Sequence, residues 1–177
     1  MTTTRIQRVS RIVSALCLIG MIGLPVSLAL GWGYPELLGD TYPGWNSKWG
    51  APESLPAISR FLGFLVSMIP TGVLIYGLAR LRRMFGLYEA GEIFSAESAR
   101  YLKQFAVAVM VQAVLGPIAG AMHSVIVTFH NPPGGRMLTI GLGSNEYSAL
   151  LLGGLLLVIA WIMGQGARLA EENRQFV

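Results

Sequence analysis

Four long stretches of this 177-residue chain contain no aspartate, glutamate, lysine or arginine. They cover residues 12–30, 61–79, 104–129 and 147–167. Roughly 20 residues of helix, at about 1.5 Å per residue, cross the ~30 Å hydrocarbon core of a bilayer, where a helix satisfies its own backbone groups. The pattern therefore predicts an all-α, polytopic membrane protein: one domain, 1–177, built as a bundle of four transmembrane helices.

The composition agrees with a lipid environment and argues against several kinds of chemistry. Only 12% of the residues are charged, against about 25% in soluble proteins. Cys17 is the single cysteine, so the chain offers neither a dithiol nor a thiolate zinc site. The two histidines, His123 and His130, fall on or beside one predicted helix and cannot clamp a haem from opposite faces. We predict a protein that is not an enzyme and carries no cofactor.

The basic residues predict the orientation in the membrane. Ten of the thirteen lie before the first span, between the second and third, or after the fourth. We expect the protein to lie in the inner membrane. Because cytoplasmic segments are enriched in Lys and Arg, we expect both termini and residues 80–103 to lie in the cytoplasm. Residues 31–60 and 130–146 then face outward. The net charge of +4 is thereby a topology signal, and we expect no direct binding of nucleic acid.

Both outward connections carry recognisable patterns. The first is rich in glycine, proline and aromatics of the kind that anchor at a membrane interface; these are Trp32, Tyr34, Tyr42, Trp45 and Trp49. The second opens with the turn sequence Asn131-Pro132-Pro133-Gly134-Gly135, and residues 136–140 are consistent with a short hairpin.

The N-terminus permits a second interpretation. Three arginines, an apolar run and Ser27-Leu28-Ala29 also resemble a signal peptide with its cleavage site. The apolar run is longer than the usual signal core of about 7 to 15 residues, and keeping it leaves the charge pattern consistent. We therefore expect the first span to remain in the protein.

Short helical extensions are predicted on the cytoplasmic side. The second helix can continue past Ala79 with alternating arginine and apolar residues, and the third can begin at Ser95, whose side chain suits an N-cap. The fourth can continue as a charged tail. These segments supply the candidate docking residues: Arg80, Arg82, Arg83, Glu92, Glu97, Arg168, Glu171 and Glu172. The arginine cluster of residues 80–83 also suits a topology signal or contact with anionic lipid.

The same segments carry a family resemblance. The patterns at 81–85, 91–97, 131–134 and 167–177 together resemble the bacterial membrane proteins called domain of unknown function 2975. The resemblance covers almost the whole chain and implies four helices in the inner membrane, with no established chemistry. Members resemble proteins often encoded beside a small helix-turn-helix regulator, which implies a membrane partner for a transcription factor.

Inside the membrane, the third span has the most pronounced polar stripe. Gln112 and His123 are eleven residues apart, close to three helical turns, and share a face with Ser124. Gly116 and Gly120 form a Gly-x-x-x-Gly pattern on this face, which permits close approach of a second helix. The stripe either packs inward or, with Thr71 of the second span, lines a proton or ligand path.

Two functions are consistent with these patterns. The first is a membrane protein that holds or sequesters a cytoplasmic helix-turn-helix regulator through its cytoplasmic face. The alternative is a small transporter or channel-like protein, acting as a homo-oligomer, with Gln112, His123 and Thr71 along its path. The absence of acidic residues from the four spans favours the first.

Overall fold

The computed structural model describes residues 2–34, 36, 54–93, 95–132 and 134–175. Four helices succeed one another along the chain: α1 (Thr2–Gly33), α2 (Ala57–Glu89), α3 (Ala96–Thr128) and α4 (Ser144–Gln175). Each contains a segment long and apolar enough to cross a membrane, and no strand occurs in the described part of the chain. The predicted all-α, four-span architecture is confirmed, and the chain is a multi-pass membrane protein.

The helices continue beyond their charge-free runs. Each has 32 or 33 residues and is therefore about 50 Å long, well over the ~30 Å hydrocarbon core. α2 continues for ten residues past Ala79, and α3 begins at Ala96, eight residues before its charge-free run. The predicted extensions of α2 and α3 are confirmed.

The helices are arranged as an open row. α1 packs on α2, α2 on α3 and α3 on α4, and within the described ranges no other pair of helices brings its Cα atoms within 8 Å of each other. The start of α1, the end of α4 and the α2–α3 connection lie at one end of the helices, called here the termini side. The end of α1, the start of α2 and the α3–α4 connection lie at the other end, called the loop side.

A glycine allows close approach at each of the three interfaces. On α2, Gly63 lies against Trp32 of α1, and a Cβ on Gly77 would lie 2.9 Å from Ala108 Cβ of α3. On α4, a Cβ on Gly153 would lie 2.5 Å from Met110 Cγ of α3. Without side chains at these positions the helices approach closely, which is how helices associate in lipid.

The Gly-x-x-x-Gly pattern of α3 has a different role from the one predicted. A Cβ on Gly120 would meet no atom within 4 Å, and one on Gly116 would lie 3.9 Å from a carboxylate oxygen of Glu146. Gly120 therefore has no close neighbour, and Gly116 meets only the side chain of Glu146, in the first turn of α4. The close contact between α3 and α4 is made elsewhere, at Gly153.

The second loop-side connection does not form the hairpin that its sequence suggested. Residues 136–140 have no regular secondary structure and run beside the end of α3. The Met137 amide donates to Thr128 Oγ1 at 3.1 Å, and the Thr139 amide donates to Ser124 Oγ at 2.9 Å. Because the hydroxyls of α3 pair with these amides, the segment is fixed without a second strand.

Candidate functional site

A polar cluster lies buried on the loop-side half of the row, where α1, α2 and α3 meet. Its members are Trp32 from α1, Gly63 and Ser67 from α2, and His123 from α3, and we call it the histidine cluster. His123 is 2% exposed and Ser67 is 5% exposed. The His123 Nε2 atom lies 3.0 Å from the Gly63 carbonyl oxygen and 3.0 Å from Ser67 Oγ.

The hydrogen bonds assign the hydrogen positions of the cluster. The Gly63 carbonyl can only accept, so His123 Nε2 carries a hydrogen and donates to it. Ser67 Oγ accepts from Trp32 Nε1 at 3.0 Å and donates to the Gly63 carbonyl at 2.9 Å. The serine hydroxyl thus connects all three helices, and these buried polar groups are satisfied by one another.

Trp32 occupies a place that its sequence context does not indicate. It lies in the last turn of α1 and is 5% exposed, with its ring centroid 5.4 Å from that of His123. It was predicted to anchor at the membrane interface; instead its indole fills the space left by the missing side chain of Gly63. Of the other predicted anchors, Tyr34 is exposed, and Tyr42, Trp45 and Trp49 lie outside the described residues.

The structure separates the members of the predicted polar stripe. Thr71 lies one turn from Ser67 and donates to the Ser67 carbonyl oxygen at 2.8 Å. Ser124 adjoins His123 in sequence, but its hydroxyl accepts a hydrogen bond from the Thr139 amide of the loop-side segment. Gln112 is half-buried and lies about 16 Å from His123 along α3. The histidine cluster thus includes His123 and contacts Thr71, whereas Ser124 and Gln112 lie in separate surroundings.

Replacing His123 by phenylalanine tests the contribution of the cluster. The ring against Trp32 is retained, but the donor to the Gly63 carbonyl and Ser67 is lost. Because hydrogen bonds between helices in membranes contribute about 1 kcal/mol, we expect a loss of ~1 kcal/mol in stability. Thermal denaturation in detergent measures it. The control is His130→Phe at an exposed position; equal loss in both variants would contradict a role for the cluster.

The second candidate site is the α2–α3 connection on the termini side, and its backbone is fixed at both ends. α2 ends in a Schellman motif: Glu92 N–H donates to the Leu87 carbonyl at 2.9 Å and Gly91 N–H to the Tyr88 carbonyl at 3.2 Å. Gly91 has a φ of +90°, which glycine adopts without strain. The chain thereby reverses within a few residues.

Two serines fix the beginning of α3. Ser95 is the N-cap as predicted, its side chain accepting from the Ser98 amide at 3.1 Å. Ser98 is fully buried and its hydroxyl also donates to the Ile93 carbonyl at 3.0 Å. Ser98 was not predicted from the sequence, although the third residue after an N-cap serine is a capping-box position. The connection between α2 and α3 is thus tied to the first turn of α3.

A hydrophobic cluster supports this connection. Met84 of α2, Tyr101 and Leu102 of α3, and Ala160 of α4 are buried together. Phe85 and Tyr88 pack against them, with their rings edge to face at 5.7 Å between centroids. Burial of these side chains holds the ends of three helices in one arrangement. The exposed charged residues at the end of α2, in the connection and at the start of α3 are called here the hairpin surface. They are Arg82, Arg83, Glu92 and Glu97.

The predicted docking residues fall into three groups. Arg82, Arg83, Glu92 and Glu97 lie exposed on the hairpin surface. Arg80 is half-buried, with its guanidinium 4.6 Å from the centre of the Tyr76 ring. The third group belongs to α4 and is exposed; it comprises Arg168, Glu171 and Glu172. Since no Cα atom of α4 lies within 8 Å of one of α2, we treat the α4 group as a surface distinct from that of α2.

Comparison with protein families gives one finding. A family model described as Protein of unknown function (DUF2975) matches residues 29–176, from the last turns of α1 through α4. No curated protein and no solved structure matches the chain.

Proposed function

This chain belongs to the DUF2975 family of proteins of unknown function, and we propose that it is a non-enzymatic protein of the inner membrane that holds a soluble regulator. The hairpin surface is the docking site. The partner is a small helix-turn-helix transcription regulator, which the membrane protein keeps away from DNA while the two are bound. Both chain termini and the hairpin surface face the cytoplasm in this proposal, in agreement with the distribution of basic residues.

The observation that carries the proposal is a connection hydrogen-bonded at both ends, with unpaired charges beside it. From Arg80 to Glu89, α2 extends about 15 Å past its charge-free run, and the Schellman motif at Gly91 and the capping box at Ser95 hold the two ends of the connection to α3. Throughout the described residues the one ion pair is Arg100–Glu97, at 3.5 Å. Arg82, Arg83 and Glu92 therefore form no ion pair with a described residue, and their charges are available to a partner protein.

Rigidity and mixed charge are both favourable for recognition. A surface already held in its bound conformation loses little conformational entropy on association, so more of the contact energy appears as affinity. Opposite charges at fixed positions select a partner with the complementary pattern and accelerate its approach. The exposed apolar residues of the membrane-spanning segments, in contrast, offer lipid-compatible surface.

Co-purification tests the proposal. The full-length protein is expressed with the helix-turn-helix protein encoded beside it, and purified in mild detergent. We expect the regulator to co-purify with the unmodified protein. With R82Q/R83Q we expect about fivefold less, because each exposed ion pair contributes up to about 1 kcal/mol.

The matched control is R5Q/R8Q, which removes two exposed arginines from α1 on the same side of the membrane. Retention of the regulator by this variant would locate binding on the hairpin surface. Equal losses in the two variants would attribute binding to overall charge. If no regulator co-purifies with the unmodified protein, the proposal is wrong.

A further inference from the structure

A basic cleft opens between α3 and α4 at the termini side, away from the arginines of α2. Its cationic side chains are Arg100 and Lys103 of α3 and Arg168 of α4, and they line the cleft together. Trp161 and Gln165 of α4 complete the walls of a cavity of about 280 Å³. The helices touch beneath it, where a Cβ on Gly164 would lie 3.8 Å from Ala99 Cβ.

The charges of the cleft favour an anion. Glu97 is the acidic residue of α3 nearest to it; it pairs with Arg100 and also accepts from the Tyr101 hydroxyl at 2.8 Å. Lys103 and Arg168 form no ion pair with any described residue. Glu171 and Glu172 come after Arg168 on α4 and are exposed to solvent. Three cations with one bound carboxylate leave the cleft positive.

The same two cations of α3 stand at the end of a second, apolar groove. This groove lies between α2 and α3, has a volume of about 380 Å³, and is lined mainly by Val73, Tyr76, Val107, Ala108 and Val111. Arg100 and Lys103 form part of its wall. From Arg100 to Val111 the groove runs along about 16 Å of helix, close to half of the ~30 Å hydrocarbon core.

One buried polar atom in this groove lacks a partner. Gln104 lines the groove one turn from Arg100, and its Oε1 is buried without a hydrogen bond to any described residue. A buried acceptor without a donor costs about 1–3 kcal/mol. A hydroxyl of an occupant would satisfy it.

We propose that this surface of α3 binds one anionic phospholipid. The phosphate lies in the basic cleft with Lys103, Arg168 and Arg100, and an acyl chain lies in the groove between α2 and α3. The length of the groove along α3 matches the thickness of one leaflet. Basic pockets between transmembrane helices are known to bind anionic headgroups. Trp161 lies beside the headgroup, at the level where tryptophan is enriched. A free phosphate would use the cleft and leave the apolar groove empty.

Native mass spectrometry of the full-length protein in mild detergent tests the proposal. Phosphatidylglycerol and phosphatidylcholine with identical acyl chains are added in equal amounts. We expect about thirtyfold greater retention of phosphatidylglycerol, and loss of most of that preference in K103Q/R168Q, because two basic residues at about 1 kcal/mol each account for a factor of about 30. The control R82Q/R83Q removes the same charge outside the cleft and should retain the preference within about twofold.

A second pair of variants tests the acyl groove. Val111→Trp fills the groove, whereas Val114→Trp places the same side chain at an exposed position outside it. We expect Val111→Trp to retain several-fold less phosphatidylglycerol than Val114→Trp. Equal retention of the two lipids, or equal effects of the two double variants, would overturn the proposal. So would an unchanged Val111→Trp together with displacement of the lipid by millimolar inorganic phosphate, which would indicate a site for free anions.

Discussion

Replacing Gly63 by alanine is expected to destabilise the protein by about 3 kcal/mol, near the upper end for overpacking of a buried site. The new Cβ would overlap three carbons of the Trp32 indole. The indole cannot move aside without giving up the hydrogen bond from its Nε1 to Ser67, and it also lies against His123. Thermal denaturation in detergent, combined with the fraction of protein that stays monodisperse, measures the loss.

Two comparisons make this result specific. Gly72 lies on the same helix with no atom within 4 Å of an added Cβ, so Gly72→Ala should leave stability unchanged or slightly raise it. In a Trp32→Ala background, Gly63→Ala should cost little, because the overlapping ring is gone. A similar loss for Gly63→Ala with and without Trp32 would show that this contact is not the cause.

Gly153→Ala is expected to cost about 2 kcal/mol through the α3–α4 interface. The added Cβ would lie 2.5 Å from Met110 Cγ and 3.2 Å from the Ala106 carbonyl oxygen, so the methionine must move and the backbone must separate. This loss of stability is smaller than that expected for Gly63→Ala, because the Met110 side chain is more flexible than the hydrogen-bonded Trp32 indole. Thermal denaturation under the same conditions measures it.

The adjacent residue is the control. Gly154 has no atom within 4 Å of an added Cβ, so Gly154→Ala changes the composition of α4 equally without touching α3. We expect Gly154→Ala to behave like the unmodified protein. If the two alanine variants denature together, α4 does not pack on α3 through Gly153.

The sequence predicted the parts of the fold that depend on local physical chemistry. Charge-free runs predicted the four helices because solvation in lipid is decided residue by residue. The N-cap at Ser95 was predicted because its hydrogen bond reaches only three residues along the chain. The extension of α2 past Ala79 was predicted from the alternation of arginine and apolar residues that follows it in the sequence.

Features that depend on distant residues were not predictable in the same way. Trp32 comes after glycines and precedes a proline-rich stretch, so its local context suggests a loop; its burial is decided by Gly63, on another helix. Gly116 and Gly120 have the pattern of a helix contact, but the contact is made by Gly153 of α4. Pairing of helices depends on shape across a whole face, which spacing along one helix does not define.

The candidate sites show the same division. Arg82 and Arg83 were singled out from sequence because they follow the second apolar run, and Glu97 because it lies in the first turn of the predicted third helix. Lys103 was considered only as a topology signal, since its proximity to Arg168 depends on the contact between α3 and α4. The histidine cluster was half predicted: His123 was recognised as an intramembrane polar residue, but its pairing with Ser67 depends on the contact between α2 and α3.

The open row of helices has a consequence for how the protein is made. Each helix contacts its predecessor in the chain, and within the described residues α1 and α4 do not meet. During synthesis, each helix after α1 therefore enters the bilayer when the preceding helix, on which it packs, is already inserted. The histidine cluster is complete once α3 has been inserted. Assembly in order of synthesis keeps unpaired polar groups in the lipid for the shortest time, which limits misassembly with neighbouring chains.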